Sequence, residues 1–261
     1  MSVLTRSMRV VEAELVVYRR TWRGTVISSF VNPILYLTAM GLFLGSFVDS
    51  TADLGIPYLT FVATGLMAAT AMQAGAGEGS FPVFAGIKWR KEFHATITTP
   101  LSPADIVYGR FLWAIIRLTF ILVVFALISV LFGAIEIGPA LLAVPAGVLT
   151  GVAFTTTVTA FTVTRENETS LSTLFRFAIT PLFLFSGTFF PVSQLPDSLQ
   201  KIAYLTPLFH GVELVRKIAL PGVGEPAVTS LPIWVSVAYL SVMTAIGLVL
   251  AARFLDRRLR P

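Results

Sequence analysis

The chain has 261 residues, of which 55% are hydrophobic and only 13% are charged, and its mean hydropathy is +0.82. Because soluble domains carry about 25% charged residues, this composition indicates an integral membrane protein and excludes an ordinary soluble fold. The absence of cysteine excludes a disulfide framework, a thiolate metal site and a cysteine nucleophile. The net charge of +5 does not indicate a nucleic-acid partner, because the Lys and Arg residues lie at the ends of apolar segments, as membrane topology requires.

Residues 1–24 are predicted to form an interfacial amphipathic helix. Charged residues interrupt every apolar run, so the segment does not resemble a signal peptide. A helix of this kind lies on an anionic leaflet or packs against the protein's own spans, and the sequence leaves both possibilities open. The apolar residues recur at spacings of three and four: Leu4, Met8, Val11, Leu15, Tyr18 and Trp22.

Residues 25–261 are predicted to form one all-α transmembrane domain with six spans. Each span is an apolar segment near the length of about 20 residues that a bilayer crossing needs. The pair Asn32-Pro33 predicts a kink or a break in the first span. The predicted spans are 26–47, 58–80, 106–132, 140–163, 170–188 and 231–254.

Three alternating glycines end the second span, namely Gly75, Gly77 and Gly79. A phosphate-binding loop would need a preceding strand and a following Gly-Lys-Ser/Thr motif, and the sequence has neither. The glycines therefore predict close packing of this span against a neighbouring helix.

Residues 81–105 are predicted to form a long loop between the second and third spans. It contains a short amphipathic helix that ends at Pro100, and the turn Ser102–Asp105 then starts the third span. A surface helix with aromatic residues beside cations either rests on lipid headgroups or docks a partner protein.

Four charged residues are candidates for burial in the membrane. Arg110 and Arg117 are seven residues apart and share one helical face, with Arg117 roughly 10 Å deeper. A buried cation needs a partner, and Glu78 is the candidate for Arg117; an anionic group of a substrate is the alternative. Arg176 is predicted to extend toward a glutamate of the turn 164–169.

The apolar helix of the fifth span is predicted to end at Ser186-Gly187, and Pro191 and Pro196 follow. The segments 197–206 and 207–220 have helical periodicity but are too short to cross a bilayer. They are predicted to be re-entrant helices that dip into one membrane face.

Thirteen Lys and Arg residues lie in the N-terminal segment, the loop 81–105, the turn 164–169 and the C-terminal end of the chain from Arg253 onward. The positive-inside rule then predicts that both termini are cytoplasmic and that residues 189–230 are external. His94 and His210 fall on opposite sides, which argues against a histidine metal site or acid–base pair. A nucleotide-binding signature is absent from the sequence, so ATP-driven transport would need a separate motor chain.

Two runs carry a family resemblance: Ser-Gly-Thr-Phe-Phe-Pro-Val-Ser-Gln-Leu-Pro at 186–196 and Leu-Thr-Pro-Leu-Phe-His-Gly-Val-Glu-Leu-Val-Arg at 205–216. Together with the span pattern, they resemble the type-2 ABC exporter permeases over essentially the full length. The nodulation-factor and daunorubicin-resistance permeases are the nearest likenesses. Hydropathy alone indicates only six spans.

The resemblance implies partners and site residues. Two copies of the permease, or this chain and a homologous permease, would pair with two cytoplasmic ATPase subunits that bind ATP and Mg. This chain would bind no cofactor and would not be an enzyme. The loop after the second span would form a coupling helix that docks on the ATPase, mapped onto Phe84, Ile87, Lys88, Trp89, Arg90, Lys91, Phe93, His94 and Ile97.

The resemblance also implies a route lined by the first, second and fifth spans, closed from outside by the re-entrant helices. Its gate or substrate contacts would be Phe183, Phe185, Phe189 and Phe190, although each could instead face membrane lipid. The predicted function is export of an amphiphilic drug, lipid or lipid-linked glycan across a prokaryotic inner membrane by alternating access. A motor-free channel or ion-coupled carrier is the alternative, and a lipid-modifying membrane enzyme is a third possibility.

Overall fold

The computed structural model describes residues 3–44 and 54–260. All regular secondary structure in these two ranges is helical, which confirms the predicted all-α class. Two segments are π-helical, Leu37–Leu44 and Phe175–Ile179. The α-helices are α1 (Val3–Tyr36), α2 (Tyr58–Gly79), α3 (Phe81–Lys88), α4 (Glu92–Thr96), α5 (Pro103–Leu131), α6 (Ile137–Leu142), α7 (Val144–Val163), α8 (Thr169–Leu174), α9 (Thr180–Phe185), α10 (Asp197–Leu205), α11 (Pro207–Ala219) and α12 (Ile233–Leu259).

Among the described residues, four helical segments are long and apolar enough to cross a membrane, so the chain is a multi-pass membrane protein. They correspond to the predicted second, third, fourth and sixth spans. Two shorter apolar segments, Ser29–Met40 and Thr169–Phe185, correspond to the predicted first and fifth spans. The four long segments are Tyr58–Lys88, Pro103–Leu131, Ile137–Val163 and Ile233–Leu259.

The N-terminal helix α1 is continuous across the predicted boundary at residue 24, and Pro33 lies inside it. The predicted end of the first span, at residue 47, falls outside the described residues. Of the two possibilities left open for this segment, the structure shows packing against α5. Gly109 of α5 permits this approach, because an added Cβ would lie 2.7 Å from the backbone oxygen of Ser7. Val11 is buried in the helix pair, whereas Trp22 is exposed.

The second span is longer than predicted, because α3 continues it after a bend at Ser80. The Ser80 hydroxyl donates a hydrogen bond to the Gly77 carbonyl at 3.0 Å. Pro82 lies in the first turn of α3, where the missing amide donor costs nothing. The prediction that a loop begins at residue 81 is therefore wrong, and the polypeptide remains helical to Lys88.

Two helix ends illustrate how local sequence sets the boundaries. Ser102 caps α5: its hydroxyl accepts from the Asp105 amide at 3.2 Å, while the Asp105 carboxylate accepts from the Ser102 amide at 2.8 Å. This capping box confirms the predicted start of the third span. At the other end of the chain α12 continues to Leu259, so most of the predicted basic tail is helical.

The helix α7 lies at the centre of the bundle and packs against α2, α5 and α12. Gly75 of α2 faces the backbone of Gly151, and a Cβ added there would overlap the Gly151 carbonyl. A Cβ at Gly79 would lie 2.9 Å from the Thr159 amide. The predicted close packing is thus correct for these two glycines, whereas a Cβ at Gly77 would meet nothing within 4 Å.

The two short helices that follow the fifth span have the predicted bounds within a residue. Thr206 caps α11 by accepting a hydrogen bond from the Phe209 amide at 3.3 Å. Most of α11 is buried, because it is inserted among α2, α7 and α12. We call the end of the bundle that holds α10 and α11 the α10 end, and the opposite end the α4 end.

Candidate functional site

At the α4 end, the structure separates the predicted coupling residues into two groups. Trp89, Arg90, Lys91 and His94 are exposed, and the Trp89 side chain is 57% accessible. They do not form one helix, since Lys91 adopts a left-handed conformation (φ 51°) between α3 and α4. The second group is buried or partly buried and consists of Phe84, Ile87, Lys88, Phe93 and Ile97.

Phe93 belongs to the core of the α4 end. Its ring packs against Gly86, where an added Cβ would lie 2.8 Å from ring carbons. It shares an apolar cluster with Ile87 and Leu255, and the Arg110 guanidinium lies 5.9 Å from its ring centroid. The side chains of Phe84, Ile87 and Phe93 are therefore covered by this chain itself, and their predicted role in docking the ATPase stays a prediction.

Glu166 joins three segments at the α4 end. Its carboxylate accepts hydrogen bonds from Lys88 of α3 and, at 2.9 Å, from Arg258 of α12. Lys88 and then Arg258 hold the pKa of the Glu166 carboxyl below its usual range, because both cations favour the ionised form. Arg176, predicted to extend toward this turn as a buried charge, is instead exposed, and Glu166 pairs with the other two cations.

Deeper in the bundle, the structure brings Glu78 and Arg117 together in an ion pair. The Arg117 side chain is 28% exposed and borders a cavity of about 410 Å³ with polar lining residues such as Asn32 and Gln73. The neighbouring Arg110 pairs with Glu14 of α1. The sequence reasoning missed this second pair, although a glutamate on the amphipathic N-terminal helix was a visible signal.

The four predicted pathway phenylalanines are not all together. Phe183 and Phe189 are in edge contact, with ring centroids 5.0 Å apart, and Tyr36 lies 6.1 Å from Phe183. Phe185 is exposed, and Phe190 is partly buried. The structure thus places an aromatic cluster where the first and fifth predicted spans meet the second.

Arg216 is the residue of the α10 end that sequence reasoning missed. It was counted as an external-loop cation, but it lies on α11 and its guanidinium is buried within the protein. It donates hydrogen bonds to the backbone oxygens of Phe61 (3.1 Å), Gly187 (3.1 Å) and Ala227 (3.3 Å), and to Thr64 Oγ1 (3.2 Å). One cation thereby joins α2, the turn after α9 and the segment before α12. Its spacing on the apolar stripe of α11 could have indicated this burial.

Beside Arg216, the structure forms a second cavity of about 800 Å³ between α11 and the segments around it. Glu213 accepts hydrogen bonds from the Thr229 amide at 2.9 Å and hydroxyl at 2.7 Å, and pairs with Lys217 at 3.1 Å. His210 stacks on Tyr239 with ring centroids 4.2 Å apart. Across the described residues, groups of three or more His, Cys, Asp or Glu side chains placed to hold a metal ion are absent.

Comparison of the sequence with known protein families identifies the family of this chain. Residues 7–220, from α1 through both short helices, match the family described as ABC-2 type transporter. The chain belongs to this family. It is therefore an ABC-2 permease, as the resemblance of its two sequence runs indicated.

Individual relatives agree with this assignment. The permease is similar to nodulation protein J of Sinorhizobium fredii (33% identity over 222 residues, 80% of this chain and 83% of the relative). It is also similar to nodulation protein J of Rhizobium meliloti (29% over 247 residues, 94% and 90%). The inner membrane transport permease YadH of Escherichia coli is 24% identical over 200 residues, 76% of this chain and 77% of YadH.

Proposed function

We propose that this ABC-2 permease is the membrane subunit of an ATP-driven exporter for an amphiphilic cargo such as a drug, a lipid or a lipid-linked glycan. The match of residues 7–220 to the family carries this proposal. In the proposed exporter, all six predicted segments, including the two shorter ones, cross a prokaryotic inner membrane. Both termini are cytoplasmic. The name of the relative YadH, an inner membrane transport permease, supports the location and the transport role.

The proposed partners are two cytoplasmic ATPase subunits, which bind ATP and Mg, and a second permease that is identical or homologous. The α4 end would face the cytoplasm and dock the ATPase through Trp89, Arg90, Lys91 and His94. Among these exposed side chains, Trp89 and Arg90 are of residue types that are enriched in protein–protein interfaces. The buried Phe84, Ile87 and Phe93 would transmit movement rather than make the contact.

The packing supplies a mechanical route from the docking surface to the opposite end. The second span runs from Tyr58 to Lys88, and the Glu166 ion bridges attach its end to the last helix. At the α10 end the same span is attached to α11 by Arg216. Closure of the ATPase dimer would therefore rotate α2, α3 and α11 together, as a rigid body.

The cargo route would pass the aromatic cluster of Tyr36, Phe183 and Phe189, with α10 and α11 closing it from outside. Aromatic side chains offer apolar area for a lipid-like tail at low entropic cost. The supporting observation is that these rings meet between the first, second and fifth predicted spans.

An ion-coupled carrier is the second candidate, and one observation favours it. The Glu78–Arg117 pair joins the second and third predicted spans beside a polar cavity, and intramembrane ionisable residues mark ion pathways and proton relays in transporters. In the exporter, the same pair would hold α2 against α5.

The test uses the full chain purified with its co-purifying ATPase in lipid nanodiscs. Trp89→Glu is expected to abolish the ATPase activity that co-purifies, because a charge replaces the central apolar contact. Ile137→Glu is the matched control, since Ile137 is equally exposed (57%) but lies beyond α5 at the opposite end. It should leave the activity unchanged.

Two results would contradict the proposal. If Trp89→Glu retained full ATPase activity and stoichiometry, the docking surface would be wrong. If the purified chain alone drove uphill transport in proteoliposomes with an ion gradient and without nucleotide, the carrier would replace the exporter.

A further inference from the structure

The outer side of α7 and α12 forms a long apolar groove that the proposed transport route does not use. Its volume is about 910 Å³, and on α12 it extends from Trp234 to Phe254. Twenty residues of helix correspond to about 30 Å, the thickness of a bilayer's hydrocarbon core. Val242 and Ile246 line the groove and are exposed, so the rest of the protein does not cover it.

The floor of the groove is fixed by close helix packing. At Gly247 an added Cβ would lie 2.5 Å from the Thr156 hydroxyl oxygen, so α12 touches α7 there. Bulky side chains such as Trp234, Phe161 and Phe254 form the walls on either side. The close contact between α7 and α12 therefore sets the depth of the groove. A partner helix would need a surface of small residues to approach this closely, whereas an acyl chain does not.

Two cations lie at the α4 end of the groove. The Arg165 guanidinium is 4.5 Å from the Phe161 ring centroid, and its Nε donates to the Thr164 hydroxyl at 3.0 Å. Arg257 follows Phe254 by three residues and Leu250 by seven, which places it on the same face of α12, and it is exposed.

Two acidic residues adjacent to these cations in the sequence, Glu166 and Asp256, already have other partners. Glu166 is held by Lys88 and Arg258, and Asp256 pairs with Arg260 at 3.7 Å. The α4 end of this apolar groove therefore carries two cations, Arg165 and Arg257.

We propose that this groove binds an anionic phospholipid, with its phosphate between Arg165 and Arg257 and its acyl chains along α7 and α12. Charge complementarity selects the headgroup, since basic pockets between membrane helices bind anionic lipid headgroups. The apolar length of the groove selects a membrane lipid over a soluble phosphate. The site is separate from the cargo route, and its existence does not depend on which cargo the permease moves.

The experiment measures lipid retention by native mass spectrometry on the full chain extracted from nanodiscs of phosphatidylcholine and phosphatidylglycerol. Wild type is expected to retain phosphatidylglycerol preferentially. A cation near a membrane surface contributes about fivefold in affinity for anionic lipid, so Arg165→Gln and Arg257→Gln should each lower the preference about fivefold. Arg165→Lys keeps the charge and should retain most of the preference for phosphatidylglycerol.

Two further variants separate headgroup recognition from general loss of structure. Arg176→Gln removes an exposed cation that does not line this groove and should bind lipid like wild type. Ala238→Trp fills the groove and should reduce retention of both lipids. Undiminished phosphatidylglycerol preference in the Arg165→Gln/Arg257→Gln double variant would overturn the proposal.

A protein occupant is the competing outcome and is directly measurable. The natural chain has no cysteine, so Val242→Cys introduces a single reactive site at the middle of the groove. With a photoactivatable crosslinker at that cysteine in native membranes, a lipid adduct supports the proposal. A quantitative adduct with a second copy of the chain or with another polypeptide would refute it.

Discussion

The strongest consequence of the structure concerns Arg216, whose substitution by methionine removes every hydrogen-bond donor and leaves a shorter, unbranched apolar side chain. The backbone oxygens of Gly187 and Ala227 would each lose a hydrogen bond inside the protein. The Phe61 oxygen keeps a second donor, because the Thr64 hydroxyl also binds it at 2.9 Å. Two unsatisfied buried carbonyls cost about 2–6 kcal/mol. Removing a desolvated cation works in the opposite direction, so we expect a net loss of about 2–4 kcal/mol.

The assay is equilibrium unfolding of the purified full chain in mixed micelles, followed by helical circular dichroism. Arg216→Lys keeps the charge but has only three donors on one atom, so it should recover part of the loss. Lys201→Met is the control, because Lys201 is an exposed cation on α10. Limited proteolysis supplies a second readout, since the segment 220–230 should be cut faster once its anchor at Ala227 is lost.

Unfolding of Arg216→Met at the same denaturant concentration as Lys201→Met would contradict this prediction. That result would mean that water or backbone rearrangement satisfies the orphaned carbonyls, and that α11 is held by apolar packing alone.

Three further predictions test the bundle. Replacing Glu78 or Arg117 by the opposite charge should destabilise the chain by up to about 3–5 kcal/mol, less for the partly exposed arginine, and the double swap should restore part of the loss. Gly75→Ala should destabilise the α2–α7 contact by about 1–3 kcal/mol, whereas Gly77→Ala should be neutral or slightly stabilising, as unfolding titrations would show. Because the pKa of Glu166 is depressed in the folded state, the contribution of its ion bridges to folding stability is present above the unfolded-state pKa of about 4.3. This contribution is lost as the pH falls through the folded-state pKa. Glu166→Gln should lack this acid-dependent change in stability.

Each of these predictions has a clear contrary result. A double swap that is no better than the worse single variant would remove the energetic role of the Glu78–Arg117 pair. Equal stability of Gly75→Ala and Gly77→Ala would show that α2 and α7 are further apart than the structure places them. Parallel acid-unfolding curves for wild type and Glu166→Gln would show that the ion bridges contribute nothing to stability.

The helical class, the positions of the apolar segments and the two short helices of the α10 end were all predictable from the amino-acid sequence. These features depend on local hydrophobic length and on prolines, which are read within about 20 residues. The Ser102 cap and the partner of Arg117 were also predictable, since one is a local motif and the other joins consecutive spans. The family resemblance was visible in the sequence as well, because short runs of residues carry it.

The burial of individual polar and aromatic side chains, in contrast, depends on how the helices pack together in three dimensions. The partners of Arg216 are up to 155 residues away, and Glu14 is 96 residues from Arg110, distances over which periodicity carries no information. The burial of Phe93 has a related cause. In a membrane protein, lipid-facing and core-facing surfaces are both apolar, so hydropathy cannot separate them. Which face is covered is set by where small residues such as Gly75 and Gly109 let helices approach, and this depends on the neighbouring helix as much as on the glycine.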